Sequence, residues 1–202
     1  MDPTRKTSKK AQQTASLILA AAEELMIEEG YHNFSIRKVA TKAGVTAGNL
    51  QYHFATKARL IEAMLDHCIG RYLELFARTR AESGDDPREQ LKQLVHVIFK
   101  DLNTSTTTRF FPELWSLSNH EPYATELMDE MYAKYRAVLV EVIQAVNPRL
   151  KPRVADQLAL FMSASMEGHT VFIGYNKPWQ QDTQEMADLA VLSFLHLIDG
   201  SG

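Results

Sequence analysis

Apolar residues recur along this chain at the three- and four-residue spacing of amphipathic helices, and no stretch shows the strict alternation of a half-buried strand. Helix-ending Gly, Asn and Pro residues separate the apolar stripes. The pattern predicts an all-α fold of about nine helices. Two short predicted helices lie close together near the N-terminus, between Ser35 and Lys57.

The segment from Ser35 to Lys57 predicts two short helices joined by a tight turn. Ser35 and Thr46 are good N-cap residues for the first and second helix. Gly44 suits the left-handed conformation that ends the first helix. The inward-facing apolar residues of the pair are Ile36, Val39, Ala40, Ala43, Leu50 and Phe54. Two short helices across a turn that contains glycine form a helix-turn-helix.

The outward faces of this pair indicate DNA binding. Short hydrogen-bonding groups come first on the second helix and longer side chains follow, which suits a recognition helix entering the major groove. Asn49 and Gln51 could pair with an adenine edge, and Arg37 with a guanine. The residues predicted to contact DNA are Arg37, Lys38, Thr46, Ala47, Gly48, Asn49, Gln51, Tyr52, His53 and Lys57.

The stretch AGVTAGNLQYHFATK, followed by Ala58, Arg59 and Leu60, resembles the DNA-binding signature of TetR-family transcriptional regulators. That resemblance implies an all-helical protein that dimerises through its C-terminal helices and releases DNA when a small molecule binds. It covers about residues 14–65. The family often has Tyr where this chain has Gln51, so the operator sequence cannot be transferred, and Gln51 could read a base instead.

Charge along the chain supports a DNA-binding head. The formal net charge is −3, but residues 1–57 carry eight Lys and Arg against five Asp and Glu, while residues 58–202 carry fourteen against twenty. A basic end on an acidic body is expected when that end meets phosphates. We therefore predict a helix-turn-helix domain over residues 1–56 and a ligand-binding and dimerisation domain over residues 57–202. The polar, basic residues 1–10 are either a disordered terminus or an arm that touches DNA.

The predicted body contains helices with Met and aromatic stripes, separated by polar breaks such as the Ser/Thr-rich loop at Asn103–Thr108. Such stripes are either ordinary core or the apolar wall of a ligand pocket. The segment FPELWSLSNHEPYATELMDEMYAKYR also resembles the body of the betaine-regulator branch, without naming a ligand. The residues predicted to line a pocket are Phe99, Phe111, Trp115, Tyr132, Met162, Met166 and His169.

The last two predicted helices, at about 153–175 and 183–198, are apolar on more than one face, which is typical of helices that pair in an oligomer. The residues predicted to form a homodimer interface are Leu158, Phe161, Ser165, Phe172, Leu189 and Leu192.

No residue pattern favours catalysis, a metal or a cofactor. The seven His residues are scattered, and no nucleophile elbow, phosphate loop or dinucleotide fingerprint occurs. No apolar run is long enough to span a membrane, and the lone Cys68 suits a reducing cytoplasm. The predicted function is a cytoplasmic homodimeric repressor of a near-palindromic operator, released by a small-molecule effector. The alternatives are a small-molecule-binding protein with a vestigial helix-turn-helix and an enzyme; the basic face argues against the former.

Overall fold

A computed structural model of the protein describes residues 3–201, with side chains from Lys9 onward. Within that range the chain forms nine α-helices and no strand, which confirms the predicted fold class. Two short 3₁₀ turns lie at Tyr31–Asn33 and Gln180–Asp182. The helices are α1 (Pro3–Glu29), α2 (Ile36–Lys42), α3 (Ala47–His53), α4 (Lys57–Glu82), α5 (Pro87–Leu102), α6 (Ser105–Ser118), α7 (Pro122–Val146), α8 (Pro152–Ile173) and α9 (Thr183–Gly200).

The described residues form two compact units. The first comprises the chain up to Cys68 together with Phe110–Met128, and the second comprises Ile69–Arg109 and the chain from Asp129 onward. Helices α4, α6 and α7 therefore contribute residues to both units. The predicted functional boundary after residue 56 stays a prediction, because a packing unit and a functional domain need not coincide.

In the first unit, α1 packs against α2 and α3. The fully buried residues Ile18, Ala22, Val39 and Leu50 form the centre of this small core. Each of these helices places one apolar stripe inward, as its three- and four-residue spacing requires. The opposite faces of α2 and α3 remain available to solvent.

The segment 110–128 belongs to the same unit, which the sequence did not indicate. The Glu113 carboxylate on α6 accepts a hydrogen bond from the backbone N–H of Tyr31 at 2.8 Å. The Tyr31 and Tyr123 hydroxyls lie 3.5 Å apart. Gly30, with φ of +72°, lets the chain pass close to Glu113, because a Cβ at that position would lie 3.0 Å from its carboxylate oxygen. The turn after α1 is thus held by side chains from α6 and α7.

The second unit is built around α5, α8 and α9, which pack against one another. Leu91, Val95, Phe99, Met162 and Phe194 are among its most deeply buried side chains. Asp86 caps α5 by accepting from the N–H of Arg88 at 3.0 Å, and Pro87 occupies the first turn of the helix.

Two predicted boundaries were wrong. Helix α1 begins at Pro3 and so includes residues 3–10 of the segment predicted to be a disordered terminus or an arm; the side chains at positions 1–8 of that segment lie outside the described residues. The predicted loop at Asn103–Thr108 is instead the start of α6. Thr104 caps that helix, accepting from the N–H of Thr107 at 3.2 Å, so its hydroxyl favours the helix rather than a loop.

Candidate nucleic-acid interface

The turn between α2 and α3 has the predicted local geometry. The Ser35 hydroxyl accepts from the N–H of Lys38 at 3.3 Å, and the Thr46 hydroxyl accepts from the N–H of Asn49 at 3.1 Å. Gly44 adopts a φ of +68°, as expected for the residue that ends α2. Leu50 is completely buried and fixes α3 to the first unit. These contacts define the rotation of α3 about its own axis.

With Leu50 facing inward, α3 presents a polar face to solvent. Thr46, Gly48, Asn49 and Gln51 are exposed. Tyr52 is 84% exposed, an unusual position for an aromatic side chain with no partner surface. Ala47 and His53 are half-buried, and the His53 ring meets the Tyr52 ring edge-on at 5.5 Å. Every α3 residue in the predicted DNA-binding set thus lies on or beside one solvent-facing surface.

The basic residues of α2 differ in whether they already form ion pairs with acids of α1. Lys38 Nζ lies 2.5 Å from a Glu29 carboxylate oxygen, and Lys42 Nζ lies 2.8 Å from Glu28 and 3.3 Å from Glu24. Hydrogen bonding to Glu28 raises the pKa of Lys42, so this lysine remains charged. Lys38 therefore forms an ion pair with a residue of α1, whereas Arg37 is exposed and makes no ion pair within the described residues.

Lys57 is positioned by the first unit rather than extended into solvent. Its Nζ lies 3.8 Å from the centroid of the Tyr31 ring and 5.5 Å from that of Phe34. Thr56 caps the helix that Lys57 starts, accepting from the N–H of Arg59 at 3.2 Å. Stacking over an aromatic face holds an ammonium group in one place while leaving its N–H donors usable.

The predicted pocket residues divide between the two units. Phe111 and Trp115 belong to the first, and Phe99, Tyr132, Met162, Met166 and His169 belong to the second. Within the second unit, the rings of Phe99 and His169 lie 4.9 Å apart. His169 Nδ1 donates to the carbonyl of Ser165 at 2.6 Å. Phe99, Met162 and Met166 are fully buried and therefore belong to the hydrophobic core of the second unit. Their role in ligand binding stays a prediction.

The predicted dimer face is largely exposed on α8 and α9. Phe161, Phe172, Leu189 and Leu192 are each between 55% and 66% exposed. Leu158 is buried in the core of its own unit, so it does not contribute to this exposed face, and Ser165 is half-buried. Sequence reasoning missed Leu160 and Val171, which are equally exposed. They are apolar residues next to members of the predicted stripe.

Sequence reasoning also missed two buried polar groups on α8. Glu167 Oε2 and Thr170 Oγ1 are both shielded from solvent and have no hydrogen-bond partner within the described residues. Both residues lie on α8, three positions apart, so their side chains are neighbours on one helix face. The available signal was an acidic residue within the predominantly apolar sequence of α8.

Comparison with known proteins agrees with this architecture. Residues 18–64 match the bacterial regulatory proteins of the tetR family. Residues 87–196, more than half of the chain, match the C-terminal domain of BetI-type transcriptional repressors. The chain belongs to the TetR family of transcriptional regulators. The predicted resemblance is thereby confirmed for both the DNA-binding signature and the body.

Individual TetR-family relatives match at moderate identity. The regulator TtgR of Pseudomonas putida is 26% identical over 174 residues, covering 81% of each chain. The regulator BetI of Stenotrophomonas maltophilia is 31% identical over 111 residues, covering 54% of this chain and 57% of that protein. The match thus spans little more than half of BetI. These relatives are transcriptional regulators, not enzymes.

A solved structure shares the fold. A TetR-family regulator from Mesorhizobium loti superposes with a TM-score of 0.77 at 18% sequence identity, covering 93% of this chain and 97% of that one.

Within the described residues of our chain, no helix is long and apolar enough to cross a lipid bilayer.

Proposed function

We propose that this TetR-family regulator is a homodimeric repressor that binds a near-palindromic operator through α2 and α3 and leaves it when a small molecule binds the body. The observation that carries this proposal is the solvent-facing surface of α3. Its amide, hydroxyl and phenol groups lie on a helix whose rotation is set by the buried Leu50 and the Thr46 cap. A rigid helix with an exposed polar face suits reading of base edges in the major groove.

Two copies of this surface would read two half-sites. In helix-turn-helix dimers the half-sites lie one helical turn of DNA apart, about 34–36 Å between centres. The exposed apolar face of α8 and α9 supports dimerisation because monomeric proteins rarely leave such a surface uncovered. A second copy of this chain is therefore the partner that we assign to that face.

Release by an effector requires unequal affinity for two states. A ligand can shift the protein away from DNA only if it binds the DNA-free conformation more tightly than the DNA-bound one. Helix α4 is one of three helices that contribute residues to both units, and it begins at Lys57, directly after the helix-turn-helix. We therefore infer that a shift in the body would act through α4. We place this function in the cytoplasm, where operator DNA is accessible.

Lys57→Ala is expected to weaken binding to all DNA sequences about equally. In the wild type we expect the Lys57 ammonium group, which lies over the Tyr31 ring, to contact a phosphate and not a base. Removing one phosphate contact should reduce the slope of log affinity against log salt by about one unit. The measurement is fluorescence anisotropy of labelled duplexes over a salt series.

Two matched variants test the same assignment. Lys57→Arg should keep the salt slope because it keeps the charge. Lys177→Ala, which removes an exposed lysine from the second unit, should leave both affinity and slope unchanged. Loss confined to one base position, or an unchanged salt slope in Lys57→Ala, would contradict the phosphate role.

A further inference from the structure

The 3₁₀ turn after α1 has no side chain of its own to cap it. Tyr31 begins this turn, so its backbone N–H has no acceptor within the turn. Gly30 occupies the cap position and has no side chain that could accept the hydrogen bond. The Glu113 carboxylate supplies the acceptor instead, 2.8 Å from the Tyr31 nitrogen and 82 residues further along the chain. Because hydrogen bonds to carboxylates are stronger than those to neutral acceptors, Glu113 holds the turn firmly.

The turn is also shaped to admit this carboxylate. Gly30 has a φ of +72°, a conformation that residues with a side chain rarely adopt. A Cβ at Gly30 would lie 3.0 Å from Glu113 Oε2 and 3.1 Å from Glu113 Oε1. Glycine is therefore required here for two reasons, the backbone conformation and the space that Glu113 occupies.

The ring of Tyr31 in turn holds the ammonium group of Lys57. Lys57 Nζ lies 3.8 Å from the ring centroid, well within the separation of about 6 Å at which an aromatic face attracts a cation. Lys57 is the first residue of α4, which begins soon after α3 ends at His53. The ring that positions this lysine therefore belongs to a residue whose backbone is bound to Glu113.

The side chains of these three residues line one cleft of the first unit. The cleft has a volume of about 310 Å³ and is bounded by Tyr31, Lys57, Glu113 and further residues of α6. All three side chains are half-buried. Lysine has many rotamers of similar energy, and the cleft leaves space for them beside the ring. Lys57 would therefore leave its position if the turn that carries the ring were released.

We propose that Glu113 is a positioning residue for DNA binding: through the backbone of Tyr31 it holds the ring over which Lys57 presents its charge to a DNA phosphate. This inference rests on the proposed function of the first unit as a DNA-binding head. A lysine that is already held in place loses less conformational entropy on contacting a phosphate than a mobile one. Glu113 lies on α6, outside the predicted helix-turn-helix domain of residues 1–56, so DNA binding depends on a residue beyond that domain.

The first test measures the affinity of full-length variants for labelled duplexes of mixed sequence over a salt series. Glu113→Ala should lower the affinity by up to about fivefold at about 150 mM salt, the electrostatic contribution of one phosphate contact. It should also reduce the salt slope toward that of Lys57→Ala. Glu113→Gln keeps an acceptor oxygen for the Tyr31 N–H and should retain most of the affinity. Glu126→Ala, which removes an exposed acid from the same unit, should leave affinity and slope unchanged.

A double-mutant cycle separates positioning of Lys57 from general stabilisation of the fold. Because Glu113 acts through Lys57, Glu113→Ala should cause no further loss of affinity or slope in the Lys57→Ala protein. A residue that only stabilises the fold would weaken binding equally in both backgrounds. Equal losses in the two backgrounds, or the same loss in Glu113→Gln as in Glu113→Ala, would overturn the inference.

NMR spectroscopy of the protein without DNA tests the positioning directly. In protein labelled with ¹³C-lysine, the ε-methylene signal of Lys57 should be shifted upfield by the Tyr31 ring, and its absence from Lys57→Ala assigns it. Glu113→Ala should move this signal toward that of exposed lysines, whereas Glu126→Ala should leave it in place. Should Glu113→Ala fail to fold, Glu113→Asp, which withdraws the carboxylate by one methylene, should move the signal in the same direction. An upfield signal that persists in the folded Glu113 variant would contradict the positioning role.

The two measurements distinguish this inference from the proposed function. DNA binding that depends on Lys57 but not on Glu113 would refute the inference alone. Absence of salt-dependent DNA binding by the wild type, together with a Lys57 signal that moves in Glu113→Ala, would refute the repressor proposal and leave Glu113 as the residue that positions Lys57.

Discussion

Phe161→Asp is expected to convert the protein from a dimer to a monomer and to lower its affinity for operator DNA by at least about a hundredfold. The side chain is 55% exposed within the protomer, on the apolar face shared by α8 and α9. An aspartate there would place an unpaired charge in the dimer contact, which costs more than the lost apolar area alone. Operator affinity falls with it because two linked heads gain their strength from binding together.

Sedimentation velocity measures the first effect, and anisotropy on a two-half-site duplex measures the second. Ala133→Asp is the control, since it adds the same charge at an exposed position of α7. It should leave the protein dimeric. A wild-type protein that sediments as a monomer at micromolar concentration, or a Phe161→Asp variant that stays dimeric, would be inconsistent with this interface.

Glu167→Gln is expected to stabilise the protein above neutral pH by up to about 3 kcal/mol. The pKa of Glu167 is raised from 4.5 to about 7 in the folded protein, so the fold favours the protonated form. The wild type therefore loses stability as the pH rises from the unfolded value through the folded one, and the full penalty is present above about 7. Glutamine is neutral throughout and keeps the shape of the side chain.

The measurement is urea unfolding of wild type and variant between about pH 5 and pH 8. The difference in the free energy of unfolding should be small at the acidic end and largest at the basic end. The neighbouring groups that titrate or carry charge are Asp101, Tyr132 and Tyr135, and both proteins share them. Glu130→Gln, at an exposed position of α7, should show no pH-dependent difference. A gap that is equal at both ends, or destabilisation at about pH 8, would show that the fold does not disfavour the ionised form of Glu167.

The helix-turn-helix could be predicted from the sequence because its determinants are local. A cap such as Ser35, a left-handed Gly44 and the inward Leu50 each act within a few residues of their own position. Sequence and structure therefore agree there down to single hydrogen bonds. The start of α6 was missed because a Ser/Thr-rich stretch has only a weak preference between helix and loop. Thr104 acts there as the cap of the helix.

The missed features of the site depend on contacts between different helices. The pairing of Lys38 with Glu29 crosses from α2 to α1, so the exposed basic face looked larger in sequence than it is. Glu167 is one of two acids on α8, the other being Asp156, and an acid on a helix usually occupies a solvated position. The burial of Glu167 Oε2 follows from the packing of the second unit, and helical periodicity cannot show which acid that packing shields from water.

We infer that the exposed face of α3 reads DNA sequence. The most direct measurement is selection of bound duplexes from a randomised pool, run with wild type, Asn49→Ala and Gln51→Ala, and with Gln181→Ala as an exposed amide outside the head. A bidentate amide–adenine pair discriminates by about 1–3 kcal/mol. Wild type and Gln181→Ala should therefore enrich one near-palindromic sequence, and each of the other variants should relax preference at its own symmetry-related pair of positions. No enrichment by the wild type, or an unchanged base preference in both α3 variants, would contradict the assignment of sequence recognition to this helix.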